Sequence, residues 1–324
     1  MAAKMPATEA AARPPRRIAA RRPDTGATAG RRRARPRRRS TLTSYLLVAP
    51  AVLLSALVVV VPGVLTAVAA FTDWDGIGLK ARWIGFANFS SILRDPVFTT
   101  ALGNNIRWML LFLTIPVAIG LLTALLLLTR PRSRTLYQVI FLVPYVLAPI
   151  TNAILWLNIV YNPLSGVVGY ANHHGLNLGE PLSGLHTAIY AVAAVDIWHF
   201  WGFLTVIYLA ALRQTPVEQV EAALVEGANG WQLFRYVYLP GIKSTLQLMW
   251  VMIIIFSFLA FDYVWLMTQG GPAHATEMLS TYAYSFAFAS FQFGKAAAVG
   301  LIMSLFGLIS SFLYTWLSRK DLNA

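Results

Sequence analysis

Apolar residues gather into six long blocks along the chain, approximately 44–71, 102–129, 136–160, 186–211, 245–267 and 296–317. Each holds about 20 or more mostly apolar residues, enough for a helix to cross a hydrocarbon layer about 30 Å thick. The pattern predicts an all-α integral membrane protein with six transmembrane helices. One polar interruption is more than a connection. Glu221 to Pro240 reads EAALVEGANGWQLFRYVYLP and holds two carboxylates, an Asn-Gly pair, an arginine and a closing proline between strongly apolar segments.

The order of residues there predicts a small folded unit. Thr215-Pro216-Val217-Glu218 has the form of a capping box: Thr215 as acceptor for first-turn amides, Pro216 at the first helical position, and Glu218 reaching back near the positive helix end. The helix is expected to stop at Gly227, which can take the left-handed cap conformation. Asn229-Gly230 permits a turn, and a second short helix through Trp231, Leu233, Phe234, Val237 and Tyr238 is expected to end at Pro240. The product is a helix-turn-helix knob with a small face at Ala222 and Ala223. It suits either docking into a groove on another protein or resting its aromatic residues among lipid headgroups.

Composition agrees with lipid as the solvent. The 324 residues are 57% hydrophobic and only 12% charged, whereas soluble domains carry about 25% charged residues. The net charge of +13 belongs to one end of the chain. Residues 1–39 contain 13 Lys and Arg against two acids, leaving 13 basic and 11 acidic residues for the rest. Residues 1–43, rich in Ala, Pro, Gly and Arg, are therefore read as a disordered tail that can lie on anionic lipid. No aromatic residue interleaves with its arginines, so nucleic acid is not an expected partner.

The block from Tyr45 to Phe71 exceeds the 7–15 apolar residues, roughly, of a signal peptide, and Arg38-Arg39 lacks a fitting twin-arginine context, so cleavage is not expected. Arg130, Arg132 and Arg134, then Arg213, Arg235 and Lys243, then Arg319 and Lys320 all fall on the side of the arginine tail. By the positive-inside rule that side is the cytoplasm, which places both termini and the 213–243 knob there. The absence of cysteine excludes disulfides, thiolate chemistry and Cys-based metal sites.

Several segments resemble a known family. Glu221-Ala222-Ala223, then Glu226-Gly227-Ala228, then Leu239-Pro240 is similar to the EAA loop of permease subunits of binding-protein-dependent ABC importers, with Glu226 at a position commonly Asp in that family. Trp83 to Phe89, Asp95-Pro96-Val97-Phe98 and Asn104-Asn105 resemble the first external loop of its sugar-permease branch. Thr268-Gln269-Gly270-Gly271-Pro272 with Thr276, Tyr282, Tyr284 and Phe293-Gly294-Lys295-Ala296 resembles the link between the last two spans of maltose-type and glycerol-phosphate-type first permeases. The resemblance implies the type I ABC importer permease fold over 44–324, with the EAA loop as coupling helix. It also implies a second, homologous permease forming a heterodimer, two cytosolic ATPases using ATP and magnesium, an extracellular solute-binding protein and a sugar as cargo. The chain itself would bind no cofactor and would not be an enzyme: no GxxxxGK[ST] stretch occurs, and Gly241-Ile242-Lys243-Ser244 lacks the upstream glycine and the Gly-Lys pair.

Candidate residues for the solute pathway follow from ionisable groups inside spans, which usually face a cavity or a partner. Asp196 lies near the middle of the fourth block and shares a helical face with His199 and Phe203, with Trp198 and Trp201 beside it. Asp262, followed by Tyr263 and Trp265, lies near the end of the fifth, and Asn152, Trp156 and Asn158 lie in the third. Carboxylates and amides accept from sugar hydroxyls while rings cover C–H faces; the same aromatic residues also suit an interfacial belt. His173 and His174 have no carboxylate at ligand spacing, so no metal site is expected. Three other readings remain open: a secondary transporter relaying protons through Asp196 and His199, an importer of a non-sugar solute, and a multispan enzyme. The last would need a close acid pair, and among the external acids Asp73, Asp75, Asp95, Glu180 and Glu277 only Asp73 and Asp75 provide one.

Overall fold

The computed structural model describes the backbone of residues 41–78, 80–130 and 132–322, and side chains between 45 and 315 other than Leu313. Residues 1–40, most of the predicted tail, and the side chains of Arg319 and Lys320 lie outside the described residues. The chain divides into two compact units, 1–54 and 55–324. The described part of the first is residues 41–54 of the helix α1, Thr41–Ser55.

The second unit is built of helices, with one isolated antiparallel bridge between Thr72 and Trp83. Its helices are α2 Val61–Ala69, α3 Ala87–Leu93, α4 Pro96–Leu128, α5 Arg134–Val146, α6 Pro149–Leu155, α7 Val167–His173 and α8 Ala188–Leu212. After these come α9 Val217–Val225, α10 Gly230–Leu233, α11 Leu239–Gly241, α12 Lys243–Leu259, α13 Asp262–Met267, α14 Leu279–Tyr284 and α15 Phe293–Leu322. Five stretches are long and apolar enough to cross a membrane: Tyr45–Ala69, Pro96–Leu128, Ala188–Leu212, Lys243–Met267 and Phe293–Phe312. The pair α5 and the segment Pro149–Val160 passes the same test jointly but is bent by 94° at Leu147-Ala148, as in a broken span or a re-entrant loop. The third predicted span is thus interrupted rather than one continuous helix. Pro144 and Pro149 are the cause: one removes a helix hydrogen bond, the other biases Ala148 to the extended backbone it adopts (ψ 143°). The second span starts six residues before its predicted boundary because Asp95 caps it, accepting from Val97 N at 2.9 Å, and Pro96 suits the first turn.

Close approach of α4, α5 and α8 forms the centre. A Cβ built on Gly120 of α4 would stand 2.9 Å from Leu204 Cβ, and one on Gly202 of α8 only 1.8 Å from the Phe141 carbonyl oxygen of α5. Small residues at such crossings let helices gain dispersion contacts, which matter more in lipid because water drives no association there. Trp108, Phe112, Tyr208, Leu204, Leu209, Ile253 and Met249 fill the space between α4, α8 and α12. Near the start of the second unit, Asn88 of α3 donates to the carbonyls of Ala70 (2.9 Å) and Thr72 (2.8 Å). Asp73 accepts from Arg82 N (2.7 Å) and Nε (2.8 Å), and these bonds hold its carboxyl below the usual range, led by the backbone amide. The close acid pair therefore shapes a loop: Asp75 accepts from the amides of Ile77 and Gly78.

Residues 268–278 form a loop that leads into α14 and winds around a buried carboxylate. Glu277 accepts from Thr281 Oγ1 at 2.7 Å and pairs with His274 Nδ1 at 2.8 Å, while Gly270 (φ +84°) leaves space that a Cβ would take from Glu277 Oε2. Asn104 ties α4 to this loop by donating to the carbonyls of Ala275 and Glu277, both at 2.9 Å. Asn105, fully buried, donates to Ser257 O at 2.7 Å and accepts from Leu279 N at 2.9 Å. Ser257 needs that partner because α12 stops at Leu259 and leaves its carbonyl without one. Replacing Asn105 by Ala strands a buried amide and a buried carbonyl, at a cost of about 1–3 kcal/mol for each group. The expected result is a clearly lower melting temperature of the detergent-solubilised protein, read by scanning fluorimetry; an unchanged value contradicts this role.

Candidate functional site

Two regions carry the chemistry, a knob outside the spans and a polar cluster within them. In the knob, α9 closes with both bonds of a Schellman cap: Ala228 N donates to Ala223 O and Gly227 N to Leu224 O, each at 3.0 Å. Gly227 sits at φ +85°, the left-handed conformation expected of it. Asn229 then starts α10 with a reciprocal capping box, accepting from Gln232 N (2.9 Å) while its own amide donates to Gln232 Oε1 (2.8 Å).

Two details differ from the sequence reading. Thr215 does not cap α9: the helix begins at Val217 with extended Pro216 before it, so Thr215 stands one residue too early, and its buried Oγ1 has no protein partner. Pro240 does not end the second limb. A π-helical turn, Phe234–Tyr238, runs into α11, with Leu239 N donating to Phe234 O. Pro240 lies in the first turn of α11, where a missing N–H is tolerated, and the chain bends at Ile242.

The knob buries none of its α9 or α10 residues. Glu221, Ala222, Glu226 and Pro240 are exposed, and Ala223, Ala228 and Leu239 half-buried. Larger apolar side chains stand out further, with Val225 88% exposed and Trp231 69% exposed beside Leu224 and Tyr236. Outside any span, such a surface marks a contact with another protein or with the membrane surface. The sequence reading placed Trp231 on the second limb but did not single out Val225 and Tyr236.

The polar cluster arises where two spans break. Between α5 and α6, the Pro144 carbonyl has lost its helical partner and accepts from Asn152 Nδ2 and His199 Nδ1, both at 2.9 Å. Between α12 and α13, the Ala260 carbonyl accepts from Ser280 Oγ. Non-helical backbone at membrane depth persists only where protein buries it or it lines a cavity, and here the breaks bring α6 and α13 against α8. Asn152 Nδ2 also donates to Tyr263 Oη at 3.1 Å, and Tyr263 meets His199 edge-on at 5.7 Å. His199 Nδ1 lies 2.9 Å from the Pro144 oxygen, which can only accept, and 3.1 Å from Asn152 Nδ2, which can only donate, so the two contacts call for opposite tautomers of the ring. Asn152 is fully buried, yet its Oδ1 has no protein partner.

Asp196 and His199 line a cleft of about 200 Å³ with Trp108, Phe112, Tyr145 and Phe200. Of the predicted pathway residues, Asn152, His199 and Tyr263 meet directly and Asp196 stands with His199 in the cleft, while Asp262 starts α13 next to Tyr263 in the chain. Trp156 and Trp198 do not join them: they pack on each other at 5.6 Å, and Trp198 lines a separate apolar groove between α4 and α8. Phe203 stacks on Tyr145, Trp201 packs on Phe141 and Trp265 on Phe261, while exposed Asn158 returns its amide to Ile154 O. Sequence reading missed Tyr145 and the Pro144 carbonyl, to which the Pro144/Pro149 spacing pointed. Among the described residues, no group of His, Asp and Glu is arranged to hold a metal ion.

Comparison with known proteins bears on both regions. The family model "Binding-protein-dependent transport system inner membrane component" matches residues 116–320, which include the knob and most of the cluster. The chain is 34% identical over 289 residues to the probable ABC transporter permease protein PH1215 of Pyrococcus horikoshii, covering 87% of this chain and 98% of the relative. It is 29% identical to the diacetylchitobiose uptake system permease protein NgcF of Streptomyces coelicolor, covering 94% and 91%. Its fold matches a crystal structure of a bacterial ABC transporter involved in the import of the acidic polysaccharide alginate, with TM-score 0.76, 23% identity and coverage of 86% and 96%. The fold is that of a type I ABC importer permease. The chain belongs to the binding-protein-dependent transport system inner membrane components, as a multi-pass permease subunit of an ABC importer in which ATP hydrolysis lies with a separate subunit.

Proposed function

We propose that this permease carries a sugar, as half of a heterodimer with a second, homologous permease, and couples to two cytosolic ATPases that use ATP and magnesium. An extracellular solute-binding protein delivers the sugar, both termini are cytoplasmic, and the chain performs no reaction of its own. The observation that carries the coupling role is the knob: a rigidly capped, unburied helix pair that offers Leu224, Val225 and Trp231 outside the spans. Glu221, Ala222, Ala223, Glu226, Gly227, Ala228, Leu239 and Pro240 shape that knob. Movement of the ATPases passes to the spans only if they bind the two states of the permease with different free energy. The cluster of Asn152, Asp196, His199, Asp262 and Tyr263 lines the pathway, with Trp156 and Trp198 at its flank. Sugar as cargo is supported by the resemblance of the 268–296 segment and by relatives such as the diacetylchitobiose permease.

The test is affinity purification of the tagged chain in mild detergent. A second permease and an ATPase are expected to co-purify, and solute uptake in proteoliposomes is expected to need ATP and to resist proton ionophores. Recovery of the chain alone, with ionophore-sensitive uptake, would return the proton-coupled reading through Asp196 and His199.

A further inference from the structure

The turn between α4 and α5 gathers positive charge without a counter-charge. Arg130, Arg132 and Arg134 alternate along it, and no acid occurs between Asp95 and Glu180. Arg130 and Arg132 are exposed, and Arg134 is half-buried. A fourth arginine belongs to the same end of the helix bundle. Phe141 meets Gly202 and Tyr145 meets His199, so α5 and α8 run antiparallel and Arg213, just past α8, lies at the level of the turn. Among the described residues, no carboxylate pairs with any of the four. The acids of the knob, Glu218, Glu221 and Glu226, are exposed and bond to none of them.

Guanidinium groups so close together repel one another, and Arg134 adds its charge to the first turn of α5, where the helix end is already positive and no acid offsets it. The arrangement costs free energy until an anion enters it. The helix itself indicates which anion. Directly after Arg134, Leu136, Val139, Ile140 and Val143 form a stripe with i, i+3, i+4, i+7 spacing, and they are 63%, 59%, 51% and 51% exposed. A free phosphate has no use for such a surface, whereas the acyl chains of a phospholipid do. Arginine stems reach from a helix end to headgroup level, and the guanidinium fork matches phosphate oxygens in bidentate pairs. We infer that this end of α5 binds an anionic phospholipid, its headgroup phosphate among Arg130, Arg132 and Arg134 and its chains along the Leu136–Val143 stripe. Apolar stripe and basic cluster are contiguous, so one molecule satisfies both. The occupant bears on the interior because α5 also carries the Phe141 carbonyl that abuts Gly202 and the Pro144 carbonyl that accepts from Asn152. This lipid surface is independent of which solute the importer carries.

The test reads lipid enrichment at the turn in the full chain, reconstituted into phosphatidylcholine vesicles. The sequence has no cysteine, so Thr129→Cys carries a single donor dye beside the arginines. Trace phosphatidylglycerol or trace phosphatidylcholine, each with the same acceptor dye on an acyl chain, receives the energy, and the ratio of the two transfers is the readout. The ratio is expected to be about threefold or more. Replacing all three arginines by Gln is expected to lower it to below about half, and replacing them by Lys, which keeps the charge but not the fork, to leave it between the two. The 13 Lys and Arg of residues 1–39 are present in every variant, so the difference between variants reports on the turn alone. Equal transfer to the two lipids by the chain with its arginines overturns the inference, as does a ratio that the Gln variant leaves unchanged. Should the Gln triple fail to insert, Arg132→Gln, a single exposed change, takes its place and is expected to lower the ratio measurably; no change overturns the inference. Inorganic phosphate at matched ionic strength is expected to leave the ratio as it was, and its collapse would identify a free-anion site instead of a lipid surface. The ratio is also expected to persist when the labelled chain is assembled with its co-purifying partners; a fall to the Gln value would mean that a partner protein covers the turn, which overturns the inference and leaves the importer reading intact.

Discussion

Gly227→Val is expected to abolish ATP-driven uptake while the chain still inserts in the membrane. The reason is conformational rather than steric. Nothing lies within 4 Å of a Cβ built on Gly227, but its φ of +85° belongs to a region that costs an L-residue about 1–2 kcal/mol, and more when the side chain is branched at Cβ. Relief of that strain breaks the bonds from Gly227 N and Ala228 N that close α9, so the helix exit rotates and Asn229 no longer starts α10 in register. The apolar anchors Leu224, Val225 and Trp231 then cannot meet one rigid groove together. Uptake in cells, membrane abundance and ATPase recovered on affinity purification are the measurements: uptake falls at least tenfold, abundance holds, and the ATPase is lost or uncoupled. Gly227→Ala, with smaller strain, should fall between. Full ATP-driven uptake by the valine variant would show that the knob tolerates a displaced turn and is not the coupling element.

Gly202→Ala should have an equally large effect by a different route. The new methyl would stand 1.8 Å from the Phe141 carbonyl oxygen, and a backbone atom cannot swing aside as a side chain does. Helices α5 and α8 have to separate by at least about 1 Å, opening voids along a close-packed interface. Overpacking of this kind costs about 1–3 kcal/mol, occasionally more. Because Phe141 precedes Pro144 by one helical turn, the same displacement pulls the Pro144 carbonyl away from Asn152 and His199. The variant is expected to lose several degrees of melting temperature in detergent and most of its uptake. Gly300→Ala in α15, where a Cβ meets nothing within 4 Å, is the control and should match wild type. A stable, active Gly202→Ala protein would mean that α5 and α8 are not held as closely as described.

What could be read from the residues alone was whatever depends on neighbours in sequence. Span positions came out within a few residues because hydropathy sums over a contiguous window. The stop at Gly227 came out because a helix end satisfies its carbonyls with the next two amides. Even there, a one-residue shift in the start of α9 turned Thr215 from an expected cap into a buried hydroxyl without a partner. Local patterns carry existence and type of an element better than its last residue.

The grouping of polar residues was decided elsewhere. Asn152 and Tyr263 are 111 positions apart, and Asn105 reaches Leu279 across 174. Sequence marked Asn152, Asp196, His199, Asp262, Trp156 and Trp198 as alike, polar or aromatic within spans, and had no means of dividing them. The tertiary structure divides them, because the breaks after Val146 and Leu259 free carbonyls that only particular side chains can reach. The chain by itself determined that it lives in a membrane and that it carries a capped knob outside it, since both follow from local free energies of transfer and hydrogen bonding. Which acceptors face a solute together was determined only by packing, because α6, α8 and α13 meet through close helix contact and through backbone groups that broken helices leave unsatisfied.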